Sequence, residues 1–320
     1  MGAVFPEGNS LSSPAVRRVA RRLGRVFGSL ESLPYLGKAE LNDFYYFRSL
    51  FEDSLARIDR KVREGRLTPL DLRGFPQELR YPGLSARVGI FIGSFDPFQM
   101  THLAMALRFL ASDASEADAL FIVPEGSTDG RKPLKTDYRF RFEILKRQIV
   151  GVLEPLVAPL DLGEGADTIE IVRRLIGLHP GAYLRLTHLL GSDALPTALT
   201  LLPDDLEVWG AAAAAHRVDL DFSIHVARRD RRSRIQPLAE AVRRLGVRMV
   251  VERAVIGTPS SSAFRSEGAI TLILPTESIL SRLELLFRYG MYRSWTEVQD
   301  RVPPIDFAAA DLADGPEYEI

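Results

Sequence analysis

The residues best suited to chemistry lie between Gly93 and His102, where a short apolar run gives way to a turn and then to helical spacing. The run from Val88 to Ile92 is too short for a helix and is bounded by turn residues, which predicts a buried strand. Apolar residues from Leu103 to Leu110 recur at helical spacing, which predicts a helix that begins near His102. A strand, a glycine turn and a helix N-terminus direct backbone N–H groups and the positive end of the helix dipole at one point. The stretch therefore predicts a polyphosphate site within reach of His102.

The motif itself reads Gly93-Ser94-Phe95-Asp96-Pro97, followed by Gln99-Met100-Thr101-His102. It resembles the signature of the nucleotidyltransferase superfamily, in which a strand ends in G-(S/T)-F-D-P and (H/T)-x-G-H follows at the helix start. The resemblance implies that Gly93, Ser94, Phe95 and Gln99 contact ATP and that His102 is catalytic, donating a hydrogen bond to the α/β-phosphates. Gln99 and Thr101 depart from the signature. Glutamine is never cationic, and a β-branched side chain in place of glycine can obstruct a phosphate.

Two further segments carry cations and hydroxyl groups. The stretch from Val123 to Arg141, which includes the loop Ser127 to Lys135, resembles the V-P-x-G…H-K-P…R segment of nicotinate-mononucleotide adenylyltransferases. Thr258 to Arg265 resembles the superfamily's I-S-S-T-x-I-R motif. The resemblance implies that Lys132 and Arg265 bind the leaving pyrophosphate and that Ser260 and Ser261 hold the ATP side. A solvated charged loop and a helix-capping segment are the ordinary alternatives.

The acceptor side of the predicted site involves Thr168 and Asp193. Gly191-Ser192-Asp193 resembles the G-(A/S)-D motif of the same adenylyltransferases, and Thr168 stands at their Y-T-x-x-T helix start, with Ala166 in place of the tyrosine. The resemblance implies that Thr168 and Asp193 face a phosphorylated acceptor. Ser192 or Asp193 as a helix N-cap is the alternative, and the two roles are compatible.

Strand and helix patterns alternate after residue 86, which predicts an α/β fold with a doubly wound parallel sheet of the Rossmann-like nucleotidyltransferase type. We expect a nucleotidyltransferase domain over residues 86–295, an N-terminal helical extension over residues 1–85, and an acidic tail over residues 296–320. In the extension, an arginine-rich amphipathic helix favours packing on its own protein over anionic lipid or RNA. A second helix carries enough apolar surface to pack against the first helix or against another subunit. The sequence is therefore compatible with a homo-oligomer.

Composition excludes several classes of protein. The chain has 320 residues, a net charge of −1 and no cysteine. Disulfides and thiol nucleophiles are therefore absent, and a dedicated nucleic-acid binder would be more basic. No apolar run is long enough to cross a membrane, and the start lacks a signal-peptide pattern, so a cytoplasmic protein without membrane or nucleic-acid partners is expected.

Three functions follow from the resemblance. The first is an adenylyltransferase of NAD biosynthesis that joins the AMP part of ATP to nicotinate or nicotinamide mononucleotide and releases pyrophosphate. Mg²⁺ would accompany ATP, held mainly by substrate oxygens and water rather than by a protein metal site. The second is a nucleotidyltransferase with another phosphorylated acceptor. The third is a nucleotide-binding or regulatory protein with weakened catalysis, because the histidine motif reads Gln99-Met100-Thr101-His102.

Overall fold

Six parallel strands form one sheet in the computed structural model, which describes residues 11–31, 38–69, 85–126, 138–230 and 235–257. The strands lie in the order β3-β2-β1-β4-β5-β6. All neighbouring pairs are parallel. The predicted α/β fold with a doubly wound sheet is confirmed. The strand bounds are β1 Ser85–Gly93, β2 Ala119–Pro124, β3 Val157–Pro159, β4 Tyr183–Gly191, β5 Asp219–Arg228 and β6 Arg248–Val255.

Seven α-helices are described. The two helices expected in the N-terminal extension are α1 and α2, and the helix expected to begin near His102 is α3. For α6 the sequence indicated only a start near Asp193. It runs for 22 residues and continues through Pro203, a residue that normally interrupts a helical pattern because it lacks an N–H. The helix bounds are α1 Pro14–Glu31, α2 Lys38–Arg63, α3 Met100–Ala111, α4 Tyr138–Gln148, α5 Thr168–Gly177, α6 Leu195–His216 and α7 Gln236–Arg244, with a π-helical segment at Ile149–Leu153 after α4.

Both faces of the sheet are covered, as strands buried on two sides require. Phe91 and Leu189 face a hydrophobic cluster formed with α1, α2 and α3. Ile90 and Leu186 face a second cluster that includes residues of α5, α6 and α7. Apart from His102 and Arg108, every residue of α3 is buried, because the sheet covers one side of this helix and the N-terminal helices cover the other.

The N-terminal helices pack on the rest of the chain. The apolar face of α1, which includes Val19, Leu23 and Phe27, belongs to the same cluster as α3, so the interpretation of a helix packed on its own protein is confirmed. Asp59 of α2 accepts a hydrogen bond from the backbone N–H of Ser13 at 2.7 Å, just before α1 begins. None of the described helices has the length and apolar character of a membrane span. The predicted domain boundaries stay predictions.

Lys61 joins α2 to the end of α3. Its side chain is 0% exposed, and its Nζ donates hydrogen bonds to the carbonyl oxygens of Leu110, Ser112 and Ser115 at 2.8, 2.8 and 2.9 Å. Burial lowers the pKa of Lys61 to about 8. A cation at a helix C-terminus interacts favourably with the helix dipole and satisfies carbonyl groups that have no partner within the helix.

We expect Lys61→Met to lower the free energy of unfolding by about 3 kcal/mol, because the substitution leaves buried carbonyl groups without a donor. Urea denaturation of the full chain measures this change. Lys146→Met is the matched control, since the Lys146 side chain is 52% exposed. A loss at Lys61 no larger than the loss at Lys146 would show that the three hydrogen bonds contribute little.

Candidate functional site

The candidate site lies where the order of strands reverses, between the carboxyl ends of β1 and β4. Neighbouring connections leave these two strands toward opposite sides of the sheet, which opens a crevice at their ends and is where doubly wound folds bind ligands. The Gly93-Ser94-Phe95 segment follows β1, and Ser192-Asp193 follows β4. The structure therefore brings the Gly93-Ser94-Phe95 segment and the Gly191-Ser192-Asp193 motif to the two sides of one crevice.

The turn after β1 leads directly into α3, whose first turn is closed by a reciprocal cap. The side-chain oxygen of Gln99 accepts a hydrogen bond from the backbone N–H of Thr101 at 2.9 Å. The backbone N–H of Gln99 donates to Nδ1 of His102 at 3.2 Å. This is a capping box in which histidine takes the place of the usual glutamate. The helix begins two residues before the predicted start at His102.

His102 is held by this cap and by aromatic rings. Its ring lies 5.9, 5.1 and 5.5 Å, centroid to centroid, from the rings of Phe91, Phe95 and Phe98. Because Nδ1 accepts a hydrogen bond, the neutral imidazole carries its proton on Nε2, which is therefore a donor. The ring is half-buried, so its position and its tautomer are set before any ligand arrives.

Phe95 has an unusual backbone conformation, with φ at 43°. A bulky residue in the left-handed region is strained, and such strain is retained where the surroundings enforce it, often at functional turns. The Phe95 ring meets Phe91 edge-on at 5.0 Å, which holds the turn in this conformation.

Both departures from the superfamily signature are buried. Gln99 and Thr101 are each 0% exposed, so the Thr101 side chain packs into the protein and does not project into the open crevice. Gln99 serves as the helix cap, and its predicted contact with ATP stays a prediction. The obstruction expected from a β-branched residue in place of glycine has no support in this geometry.

Arg141, near the start of α4, ties the ends of β1 and β2 together. Its guanidinium donates hydrogen bonds to the carbonyl oxygen of Ser94 and, at 2.9 Å, to that of Glu125. Sequence reasoning did not single out Arg141 as a site residue, although it belongs to the segment that resembles the adenylyltransferases. These hydrogen bonds hold the turn after β1 against the end of β2.

Asp193 lies on the opposite side of the crevice, with its side chain 62% exposed. Its Oδ2 is 3.7 Å from Nη1 of Arg229, a residue just past β5 that sequence reasoning missed. Arg229 also donates its backbone N–H to Oγ of Ser192 at 3.0 Å. The N-cap alternative for Ser192 and Asp193 was wrong, because α6 begins at Leu195 with Ala194 as its cap. Asp193 is thus available at the crevice, and its predicted contact with the acceptor stays a prediction.

Thr168 is the first residue of α5, at the same edge of the sheet. Asp167 caps this helix, since its Oδ1 accepts a hydrogen bond from the backbone N–H of Glu170 at 3.0 Å. The loop before α5 is held to the end of β2, where the N–H of Gly126 donates to the carbonyl oxygen of Ala166 at 3.0 Å. A Cβ at Gly126 would collide with the Gly163 backbone, so only glycine permits this approach. The contact of Thr168 with an acceptor stays a prediction.

The remaining predicted residues lie outside the part of the chain that the structure describes. They are Lys132, Ser260, Ser261 and Arg265. Within the described residues no group of three or more histidine, aspartate or glutamate side chains has the arrangement of a metal site.

The parallel sheet with helices on both faces and the β1–α3 turn define a Rossmann-like, doubly wound fold. Two curated relatives, both described as probable nicotinate-nucleotide adenylyltransferases, match 116 residues of the chain. The protein from Gemmatimonas aurantiaca is 34% identical over 35% of this chain, and the one from Bordetella petrii is 32% identical over 36%. The resemblance to nucleotidyltransferases, and among them to nicotinate-mononucleotide adenylyltransferases, is confirmed. The chain spans 52% and 56% of the lengths of these relatives.

Solved structures of Plasmodium falciparum nicotinic acid mononucleotide adenylyltransferase are also similar to this chain. The complex with APC has a TM-score of 0.42 at 15% identity, and the complex with NaAD has a TM-score of 0.45 at 16% identity. The alignments cover 66% and 65% of this chain and 98% and 97% of those chains. No protein-family model matches the chain.

We expect Thr101→Gly to lower the free energy of unfolding by about 1 kcal/mol without raising the affinity for ATP. Glycine weakens the helix and leaves a small cavity, whereas a side chain that is already buried leaves no new room for phosphate. Urea denaturation and calorimetric titration with ATP measure the two effects. Thr197→Gly is the control, because Thr197 is an exposed threonine in the first turn of α6. Tighter ATP binding by the Thr101 variant would restore the obstruction hypothesis.

Proposed function

We propose that this protein is an adenylyltransferase that joins the AMP part of ATP to nicotinate or nicotinamide mononucleotide and releases pyrophosphate, a reaction of NAD biosynthesis. The observation that carries the proposal is the position of His102, held with its Nε2 as a donor at the N-terminus of α3 beside the β1–β4 crevice. The similarity over 116 residues to the two curated relatives supports the choice of reaction.

The proposed reaction depends mainly on how the acceptor phosphate is positioned relative to the α-phosphorus of ATP. An oxygen of the acceptor's 5′-phosphate forms a bond to the α-phosphorus of ATP, while the bond from that phosphorus to the bridging oxygen breaks and pyrophosphate leaves with its electron pair. Such transfers depend on alignment and on stabilising the charge of the phosphates rather than on covalent work by the protein. Mg²⁺ bound with ATP would neutralise part of this charge. No protein nucleophile is required.

The described residues divide this work between the two sides of the crevice. The backbone of Gly93, Ser94 and Phe95 and the N-terminus of α3 would meet the ATP phosphates, with His102 donating from Nε2 as charge develops. Asp193 and Thr168 would meet the acceptor. Among the remaining predictions, Lys132 and Arg265 would bind pyrophosphate, and Ser260 and Ser261 would bind the ATP side.

Pyrophosphate release tests the proposal directly. The purified full chain is mixed with ATP, Mg²⁺ and one of several mononucleotides, and pyrophosphate is measured with a coupled enzyme assay. We expect release with nicotinate or nicotinamide mononucleotide. Release only with other phosphorylated acceptors would favour a nucleotidyltransferase of different specificity. ATP binding without release from any acceptor would favour a nucleotide-binding protein and contradict the proposal.

We expect His102→Ala to lower kcat by about 10² to 10³-fold, the usual effect of removing one donor to a transition-state oxygen, and to weaken ATP binding much less. Steady-state kinetics and calorimetric titration with ATP separate the two effects. His216→Ala is the control, because His216 is exposed at the end of α6, far along the chain from the crevice motifs. Equal losses of turnover and of ATP affinity at His102 would assign the residue to binding alone.

A further inference from the structure

The outer face of α6 is mostly apolar although it is exposed to solvent. This helix has 22 residues and contains neither lysine nor arginine. Its only exposed carboxylates are those of Asp204 and Glu207. A surface helix normally carries charged and polar residues along its outer face, and a helix that is apolar on all sides is normally covered. The other exposed residues of this face, which we call the α6 face, include Leu201, Pro203, Val208, Gly210, Ala211 and Ala215.

Further exposed aliphatic residues lie at the ends of the two neighbouring helices. Leu178 and Leu245 are the C-cap residues of α5 and α7, which both pack against α6. In the part of the chain that the structure describes, every exposed large aliphatic side chain belongs to α6 or to one of these two caps. Exposed apolar surface that is concentrated in one region marks an interaction surface.

Charge along this surface changes sign from one edge of the sheet to the other. α6 and α7 each begin near the carboxyl end of a strand and run to the amino edge of the sheet. The acidic residues Asp204 and Glu207 therefore lie nearer the carboxyl edge. At the amino edge, α6 is followed by Arg217, and α7 ends with Arg243 and Arg244, all of them exposed.

This distribution of charge is self-complementary. Asp204 and Arg217 are equally far along the chain from the midpoint between Gly210 and Ala211, in opposite directions. A two-fold axis through that midpoint, perpendicular to α6, places the acidic end of one copy opposite the basic end of the other. The small side chains at the midpoint let the two helices approach closely. The occupant that best fits the α6 face is a second copy of this chain.

The size of the surface suits a weak dimer. A helix of this length extends for about 33 Å. Together with the ends of α5 and α7, it can bury on the order of 600 Å² per copy, which is near the lower limit for a specific protein–protein interface. Association should therefore depend on protein concentration.

We infer that two copies of this chain associate through the α6 face, antiparallel to each other, about a two-fold axis near Ala211. The interface lies on the side of the sheet opposite α1 and α2. It therefore differs from the surface of the second helix, which the sequence offered for contact with another subunit. The inference is independent of the proposed reaction.

Sedimentation equilibrium of the full chain tests the inference. We expect the mass to rise from that of one chain to that of two, with a dissociation constant on the order of 10 μM. Ala211→Arg should weaken association at least about 30-fold, because two like charges would meet near the two-fold axis. Ala56→Arg is the matched control, since Ala56 is an exposed alanine of α2, and it should leave association unchanged.

Charge reversal tests the antiparallel arrangement. One variant carries Asp204→Arg and Glu207→Arg and is basic at both ends of the surface. The other carries Arg217→Glu, Arg243→Glu and Arg244→Glu and is acidic at both ends. Each variant alone should associate at least about tenfold more weakly than the unmodified protein, because like charges meet at both ends. An equimolar mixture of the two should associate at least as tightly as the unmodified protein.

Several results would overturn the inference. The first is a chain that remains monomeric at every concentration, and the second is a dimer that Ala56→Arg disrupts and Ala211→Arg does not. Alanine and arginine are both good helix formers, so both variants should unfold at the same urea concentration as the unmodified protein when all are dilute. A monomer that only Ala211→Arg destabilises would show that the chain covers the α6 face itself. A mixture of charge variants that fails to associate would exclude the antiparallel arrangement.

Discussion

The parallel pairing of β1 with both β2 and β4 is the constraint on which the site depends. β1 pairs with β2 from Val88 to Gly93 and with β4 from Ser85 to Phe91, so its carboxyl end lies between two strands whose connections diverge. This end must turn sharply out of the sheet, because its neighbours occupy both sides. The turn is then available to a ligand, and the helix that follows presents its N-terminus to the same place.

The helix cap at Gln99 and the aromatic rings around His102 fix Nε2 of His102 as a hydrogen-bond donor at this turn. Gln99 uses both its side chain and its backbone to close the first turn of α3, and the second of these hydrogen bonds also fixes the histidine tautomer. Three phenylalanine rings limit the orientation of the same imidazole. Residues that depart from the family signature thus maintain the geometry of the residue that matches it. A residue that departs from a motif leaves the geometry of the motif intact when its side chain points into the core, as those of Gln99 and Thr101 do.

The sequence predicted the parts of this structure that local patterns determine. Apolar runs located the strands, helical spacing located most helices, and the glycine turn before His102 located the crevice. The course of α6 was not predictable in the same way, because Pro203 and a run of alanines obscure its period. Arg141 and Arg229 were missed for a different reason. Each acts through a partner distant in the sequence, Ser94 for Arg141 and Ser192 for Arg229, and no spacing rule reports such pairs.

The almost complete burial of α3 has a consequence for how this chain can be divided. A helix that is apolar on all sides needs cover on all sides, and here the outer cover comes from α1 and α2, with Lys61 bonded to the carbonyl groups at its far end. The sheet and its own helices therefore cannot be separated from α1 and α2 by a cut at the start of β1. A fragment that lacks both helices would expose the apolar outer face of α3, the helix that carries His102. Such a fragment would aggregate or lose the orientation of the His102 ring.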